Sequence, residues 1–296
     1  MQQLLVDALT GDQVILAPAR ALRPDTFRVP PQPQSSAAAC PFCDGHEGET
    51  PPEVMRIGRG APDTPGWEVR VVPNKYPIVG DGVVGAHEVV ILSPTHDADF
   101  AQITTQAATN VLFALRDRAA FHLAAGLRYA QPFVNHGKAA GASIAHPHAQ
   151  LVALDTVPPR VATRLQRFAA DAGVLVADQE HFVSEGPAPV WSPRAPSSPY
   201  AMRCTLIDGG PRFDQASDDE LHAVATALHD TVGRLHTRFG DLAYNLIFET
   251  APRDHTEPFQ WWVDIVPRLG VVAGFELGTG VLVNIVAPDA AAAALR

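Results

Sequence analysis

The two halves of this chain run through the same order of elements, and few folds accommodate such a repeat. In the first half, the alternating Glu68 to Val72 and the β-branched run His87 to Leu92 read as strands. Apolar residues at helical spacing (Val111, Leu112, Leu115, Phe121) predict a helix from Thr104 to about Ala125. Two further strands, Arg128 to Asn135 and His148 to Leu154, flank a Gly-rich link. In the second half Arg203 to Ile207 reads as a strand, and the capping box Ser217-Asp218-Asp219-Glu220 opens a helix to about Arg238. Leu242 to Glu249 and Trp261 to Val266 follow as strands. Asn135 precedes His146 by eleven positions and Glu249 precedes Gln260 by the same eleven. The pattern predicts an α+β chain of tandem β-β-α-β-β units, antiparallel sheets flanked by helices, divided into residues 1–155 and 156–296.

The alignment of the halves sets Gln260-Trp261-Trp262 against His146-Pro147-His148, so only the first copy keeps histidines and the second is degenerate. A net charge of −10 and a pI near 5.6 argue against a broad nucleic-acid or anionic-membrane surface, which needs an excess of Lys and Arg. A small-molecule partner is expected instead. No export leader or long apolar run is visible, which predicts a cytoplasmic protein. Pro30 to Ser36 reads as an extended arm and Glu47 to Trp67 as irregular chain. The segment Asp171 to Tyr200 suggests no role.

The densest chemistry lies between Asn135 and Gln150. Gly137, Gly141 and Ala142 let a backbone turn approach an anion, and Asn135 and Ser143 add neutral donors. In extended chain His146, His148 and Gln150 share one face. An imidazole there could attack a phosphorus atom and carry the resulting group to a second acceptor. Cys40-Pro41-Phe42-Cys43 has the bite of a zinc knuckle and needs two more ligands, for which His46, His87, His96 and His146 are all candidates.

Together these motifs resemble the galactose-1-phosphate uridylyltransferase family of the histidine-triad superfamily, nearest its ADP-glucose phosphorylase-like branch. Matching stretches include Thr10-Gly11-Asp12, Ala17 to Arg20, Val69 to Pro77, Gly85 to Val89, Ser93 to His96, Asn135 to Gln150, Pro267-Arg268-Leu269 and Ala273 to Gly280. The resemblance implies two histidine-triad-like domains and one structural zinc held by Cys40, Cys43, His96 and His146. It implies His148 as the nucleophile carrying a nucleoside monophosphate, with Gln150 and Ser143 supporting catalysis. Asn135, Gly141, Ser143 and Gln150 fall at phosphate contacts, and Arg20, Arg23, Phe42 and Asn74 where the nucleotide is held. The implied reaction moves the nucleotide from a nucleoside-diphosphate sugar to a sugar 1-phosphate, as in galactose metabolism, or to phosphate. The alternatives are an ADP-sugar or dinucleoside polyphosphate phosphorylase and, from another class, a non-catalytic nucleotide-binding module. A homodimer is implied as well. Two departures stand out. The H-x-H that binds a second metal in some relatives is replaced by Gln260 and Trp262, and the hexose-binding Lys and Tyr-Glu are replaced by Gly274-Phe275-Glu276-Leu277-Gly278-Thr279-Gly280. The first departure argues against a second metal site, and the second favours phosphate as acceptor.

Overall fold

The computed structural model describes residues 2–22 and 36–296; Arg23 and residues 30–35 of the expected arm lie outside it. Near the N-terminus β1 (Gln3–Val6) and β2 (Gln13–Leu16) form a hairpin. The first half continues with β3 (Met55–Gly58), β4 (Trp67–Pro73), β5 (Gly85–Ile91), α1 (Thr105–Ala124), β6 (Tyr129–His136) and β7 (His148–Leu154). After α2 (Pro159–Ala170) and α3 (Val174–Ala177), the second half brings β8 (His181–Ser184), β9 (Val190–Ser192), β10 (Met202–Thr205), α4 (Asp218–Phe239), β11 (Tyr244–Glu249) and β12 (Trp262–Pro267). The chain ends with α5 (Gly274–Thr279), β13 (Leu282–Asn284) and α6 (Pro288–Leu295).

Strands of both halves join one ten-stranded antiparallel sheet in the order β3-β4-β5-β7-β6-β11-β12-β10-β9-β8. Its centre is the β6–β11 pair, and the order reads alike outward in both directions. The hairpins on either side share a register. Val134 pairs with Ala149 in the first and Phe248 with Val263 in the second, so Trp262 occupies the place of His148. This is the tandem, second-copy-degenerate architecture expected from the sequence. In the small second sheet β13 pairs parallel to β2, which ties the C-terminal part of the chain to its start.

The sheet has one dry face. Ala149, Leu151 and Ala153 of β7, Val134 of β6, Leu246 and Phe248 of β11 and Val263 and Ile265 of β12 share a core with α1 and α4. Alternation then turns His148, Gln150 and their neighbours to the opposite face. The helices begin where the sequence placed their caps. Thr104 accepts from the Ala107 amide, and Ser217 and Glu220 close a reciprocal capping box. Leu112 and Leu115 are fully buried, each worth about 1.5–3 kcal/mol by transfer. Phe121 keeps the helical spacing but is 56% exposed, and the Arg118 guanidinium covers its ring at 4.3 Å. The stretch Glu47 to Trp67 is also less irregular than expected, because Met55, Arg56 and Ile57 extend the sheet against β4.

Candidate active site

Four ligand atoms meet beside the start of β7. Cys40, Cys43, His96 and His146 place one sulfur or ring nitrogen each within 4.8 Å of all the others. Cys43 Sγ lies 3.2 Å from His96 Nδ1 and 3.6 Å from His146 Nδ1, and Cys40 Sγ lies 3.6 Å from that same His146 nitrogen. Such separations suit the edges of a tetrahedron around zinc at about 2.0–2.3 Å from each ligand. His146 Nε2 donates to the Ser93 carbonyl at 2.8 Å, which leaves Nδ1 bare toward the sulfurs. Burial, with Cys40 alongside, pushes the Cys43 thiol up to about 11, and burial takes the His146 imidazole down to about 4. The Cys43 thiol in that setting ionises only beside a cation, so the set of two sulfurs and two ring nitrogens fits zinc and leaves no open position for water. His46 and His87 stand apart from the cluster. His46 Nδ1 hydrogen-bonds the Cys40 carbonyl at 2.7 Å, and His87 lies beneath Gln150.

One residue past Pro147, His148 is the first residue of β7 and is 5% exposed. Its Nδ1 donates to the His146 carbonyl at 2.8 Å, so the proton sits on Nδ1 and Nε2 keeps its lone pair. Burial lowers its pKa below the ordinary 6.5, and the imidazole is neutral at pH 7. Phe42 packs edge-on against the ring at 5.5 Å between centroids. Phe42, within the Cys40–Cys43 knuckle, thus forms a wall beside His148.

Gln150 follows two residues on, on the same face. Its Oε1 is 2.9 Å from His87 Nε2, while the Ile78 amide donates to His87 Nδ1 at 3.2 Å. The histidine proton therefore sits on Nε2. Asn74 Nδ2 also approaches Nε2, at 3.2 Å, but the Asn74 oxygen already accepts from the Tyr76 amide, so Gln150 is the acceptor. With its oxygen engaged, Gln150 presents its two N–H groups to whatever binds beside His148.

The second half reaches into this site from across the β6–β11 pair. Asn245 lies opposite Asn135 and donates to its Oδ1 at 2.7 Å and to the Ala140 carbonyl at 3.0 Å, while Arg268 Nε donates to Asn245 Oδ1 at 2.5 Å. Asn135 is thereby turned so that its own N–H groups face the loop. That loop bends at Gly137 (φ 79°) and Gly141 (φ 94°), backbone angles that a side chain resists. Gly141 and Ser143 are exposed on it. Arg20 is not brought to His148. It lines a cavity of about 500 Å³ on the second half of the same sheet face, with Arg160, Arg164, Glu249 and Arg268. His148 borders a crevice of about 10 Å³, shared with Asn135 and Ile144. Asn245 escaped the sequence reading, and His87 entered it only as a candidate zinc ligand, because their partners Asn135 and Gln150 lie far away in sequence.

Comparisons with known proteins bear on this arrangement. Residues 78–158 match the galactose-1-phosphate uridyl transferase N-terminal domain. The chain is 32% identical over 168 residues to galactose-1-phosphate uridylyltransferase of Streptomyces lividans, covering 55% of this chain and 41% of the relative. It is also 32% identical over 329 residues to ADP-glucose phosphorylase of Arabidopsis thaliana, covering 99% of this chain and 92% of the relative. The chain belongs to the galactose-1-phosphate uridylyltransferase family. It is a nucleotidyltransferase on the branch of the Arabidopsis enzyme. The crystal structure of an Arabidopsis thaliana ADP-glucose phosphorylase with bound ADP-glucose superposes with a TM-score of 0.87 at 29% identity, covering 100% of this chain and 99% of that one.

Within this family member, the second copy has turned its equivalent positions to packing. Trp262 is fully buried among Phe168 and Phe259, and Gln260 Nε2 donates to Thr205 Oγ1 at 3.2 Å. The segment from Asp171 to Tyr200, which suggested no role, forms the far edge of the sheet and supplies Asp178. That carboxylate accepts from Trp191 Nε1 at 3.1 Å and from the buried Arg203 at 2.9 Å.

Proposed function

We propose that the chain transfers a nucleoside monophosphate from a nucleoside-diphosphate sugar to inorganic phosphate through a covalent intermediate on His148. The observation carrying this reading is the hydrogen bond from His148 Nδ1 to the His146 carbonyl, which aims an unprotonated Nε2 outward from a buried ring. Nε2 attacks the α-phosphorus, the bond to the bridging oxygen breaks, and the sugar 1-phosphate leaves with that electron pair. A phosphate oxygen then displaces His148 and departs as the nucleoside diphosphate. Gln150 and Ser143 bind the nonbridging oxygens, and Asn135, Gly141 and the loop amides cradle the phosphates. Phe42 and Asn74 hold the nucleotide. Zinc on Cys40, Cys43, His96 and His146 fixes the wall against which His148 is placed. An adenine nucleotide sugar is the donor this reading favours, supported by the match to ADP-glucose phosphorylase over nearly the whole chain.

Residues 1–155 carry the chemistry and residues 156–296 brace it. A cytoplasmic location belongs to the same reading, since two metal-binding thiols must stay reduced. So does a homodimer, which sedimentation would test. For donor and intermediate, the test is intact-protein mass spectrometry after mixing with ADP-glucose or UDP-glucose without acceptor. An AMP-sized adduct that His148→Ala loses is expected, and phosphate should discharge it as ADP. A UMP adduct discharged only by hexose 1-phosphate would replace this reading with a uridylyltransferase. Nucleotide binding without any adduct would replace it with a binding module.

A further inference from the structure

Directly behind Asn135, on the helix side of the sheet, four side chains from separate parts of the chain converge. His136 closes β6, Asp99 lies in the loop before α1, His236 is in the last turn of α4, and Asp241 is in the turn between α4 and β11. His136 Nε2 stands 2.9 Å from Asp241 Oδ1 and 3.7 Å from Asp99 Oδ2, and His236 Nε2 stands 3.2 Å from that same Asp99 oxygen. The ligand atoms of Asp99, His136 and His236 all lie within 4.8 Å of one another.

His136 Nε2 hydrogen-bonds Asp241, but two details at His236 and Asp99 differ from an ordinary hydrogen-bonded ion pair. His236 Nε2 is buried yet completes no hydrogen bond, because its approach to Asp99 is close in distance and poor in direction. Ligands of one ion stand in that relation. Around a zinc-type ion at about 2.0–2.2 Å they sit roughly 3.3–3.5 Å apart and point at the ion, away from one another. Asp99 is also only 2% exposed, and besides the two imidazoles its oxygens meet the Ala101 amide at 3.1 Å and the Tyr244 hydroxyl at 3.4 Å. A buried carboxylate in that setting calls for a cation. The second layer is in place as well. The Tyr244 hydroxyl donates to Asp99 Oδ2 at 3.4 Å, and its ring stacks on His136 at 4.9 Å, holding both ligands in orientation.

We propose that Asp99, His136 and His236, with Asp241 at the mouth, form a second metal site for a borderline divalent ion such as zinc. Its ligands are nitrogen and oxygen only, unlike the sulfur-bearing site beside His148. The ion would clasp the end of β6 and the loop before α1 to the last turn of α4. Since His136 adjoins Asn135 and Gly137, this fixes the anion loop from behind.

The test uses the full chain, stripped with chelator, refilled with zinc or cobalt(II) and dialysed, with metal counted by mass spectrometry. The wild-type protein is expected to retain a second equivalent that the double variant His136→Gln, His236→Gln lacks. In the cobalt form that double variant should keep the intense thiolate-to-cobalt absorption, reporting a folded chain with the Cys40–Cys43 site filled. Added zinc should raise Tm in the metal-free wild type further than in the variant. If the double variant loses the thiolate band, His136→Gln alone is read by the same count. A wild type saturating at one equivalent, or a variant that keeps the second, would overturn the proposal.

Discussion

Ile78 and Gln150 act on opposite edges of one imidazole: the Ile78 amide donates to His87 Nδ1 at 3.2 Å, and His87 Nε2 donates to Gln150 Oε1 at 2.9 Å. The backbone thus fixes the His87 tautomer, and that tautomer fixes which end of the Gln150 amide faces the substrate. His87→Leu frees Gln150 to flip, and a misdirected donor costs roughly tenfold to a hundredfold in kcat. Steady-state kinetics on His87→Leu and Gln150→Leu should show losses of similar size, with zinc content unchanged. Undiminished kcat in His87→Leu would show that Gln150 is held by other means.

Removing the metal beside His148 should disturb both fold and activity, because Cys40, Cys43, His96 and His146 tie the N-terminal chain to the loop after β5 and to the start of β7. Cys43→Ser is expected to lower zinc content by one equivalent, lower Tm and reduce adduct formation on His148 together. Atomic emission, calorimetry and mass spectrometry on one preparation would check all three. Normal adduct yield in a zinc-free protein would separate the metal from catalysis.

Arg203 is 3% exposed and binds three carboxylates: Asp7 at 2.6 Å, Asp264 at 2.8 Å and Asp178 at 2.9 Å. These come from the N-terminal turn, β12 and the segment before β8. Arg203→Met leaves buried anions unpaired and should cost about 3–5 kcal/mol. Urea unfolding measures it, and a loss below about 1 kcal/mol would mean the carboxylates simply take up protons.

Glu249 gives stability a pH slope of unusual sign. Burial pushes its carboxyl up to about 7 from the ordinary 4.5, even with Arg164 at 2.7 Å, because desolvation outweighs the pairing. Between those values the folded chain binds more protons at this group than the unfolded chain, so its contribution to stability falls as pH rises from about 4.5 to 7. Glu249→Gln removes that slope. Relative to wild type, the variant should gain stability between pH 5 and pH 8, on the order of a few kcal/mol. Parallel urea titrations at the two pH values would show it, and an equal offset at both would place the folded pKa near its ordinary value.

What the sequence disclosed was what local periodicity and spacing encode. The caps Thr104 and Ser217, the alternation along β7 and the equal eleven-residue spacing are all short-range signals, and both helices and the central strands formed where those signals lay. The choice of His96 over His46 and His87 as zinc ligand came from family resemblance, since spacing from Cys43 left all three open. His87, Asn245 and the Asp99–His136–His236 cluster were harder to see because their partners are distant in sequence. Asn245 meets Asn135 across 110 positions, and Asp99 meets His236 only once α4 is laid beside α1. Helical spacing marks a face without giving its depth, so Phe121 keeps the period of α1 yet lies at the exposed rim beneath an arginine.

The pairing of β6 with β11 also limits how the protein can be divided. A fragment ending after β7 would bare the edge of β6 from Phe133 to His136 and leave Asn135 without Asn245, so the half bearing His148 would be adhesive and its Gly137–Gly141 loop unsupported. Joined in one polypeptide, the second copy is a neighbour always at full local concentration. Its histidines could drift to tryptophan and glutamine at no cost to chemistry, provided the seam between the copies stayed closed.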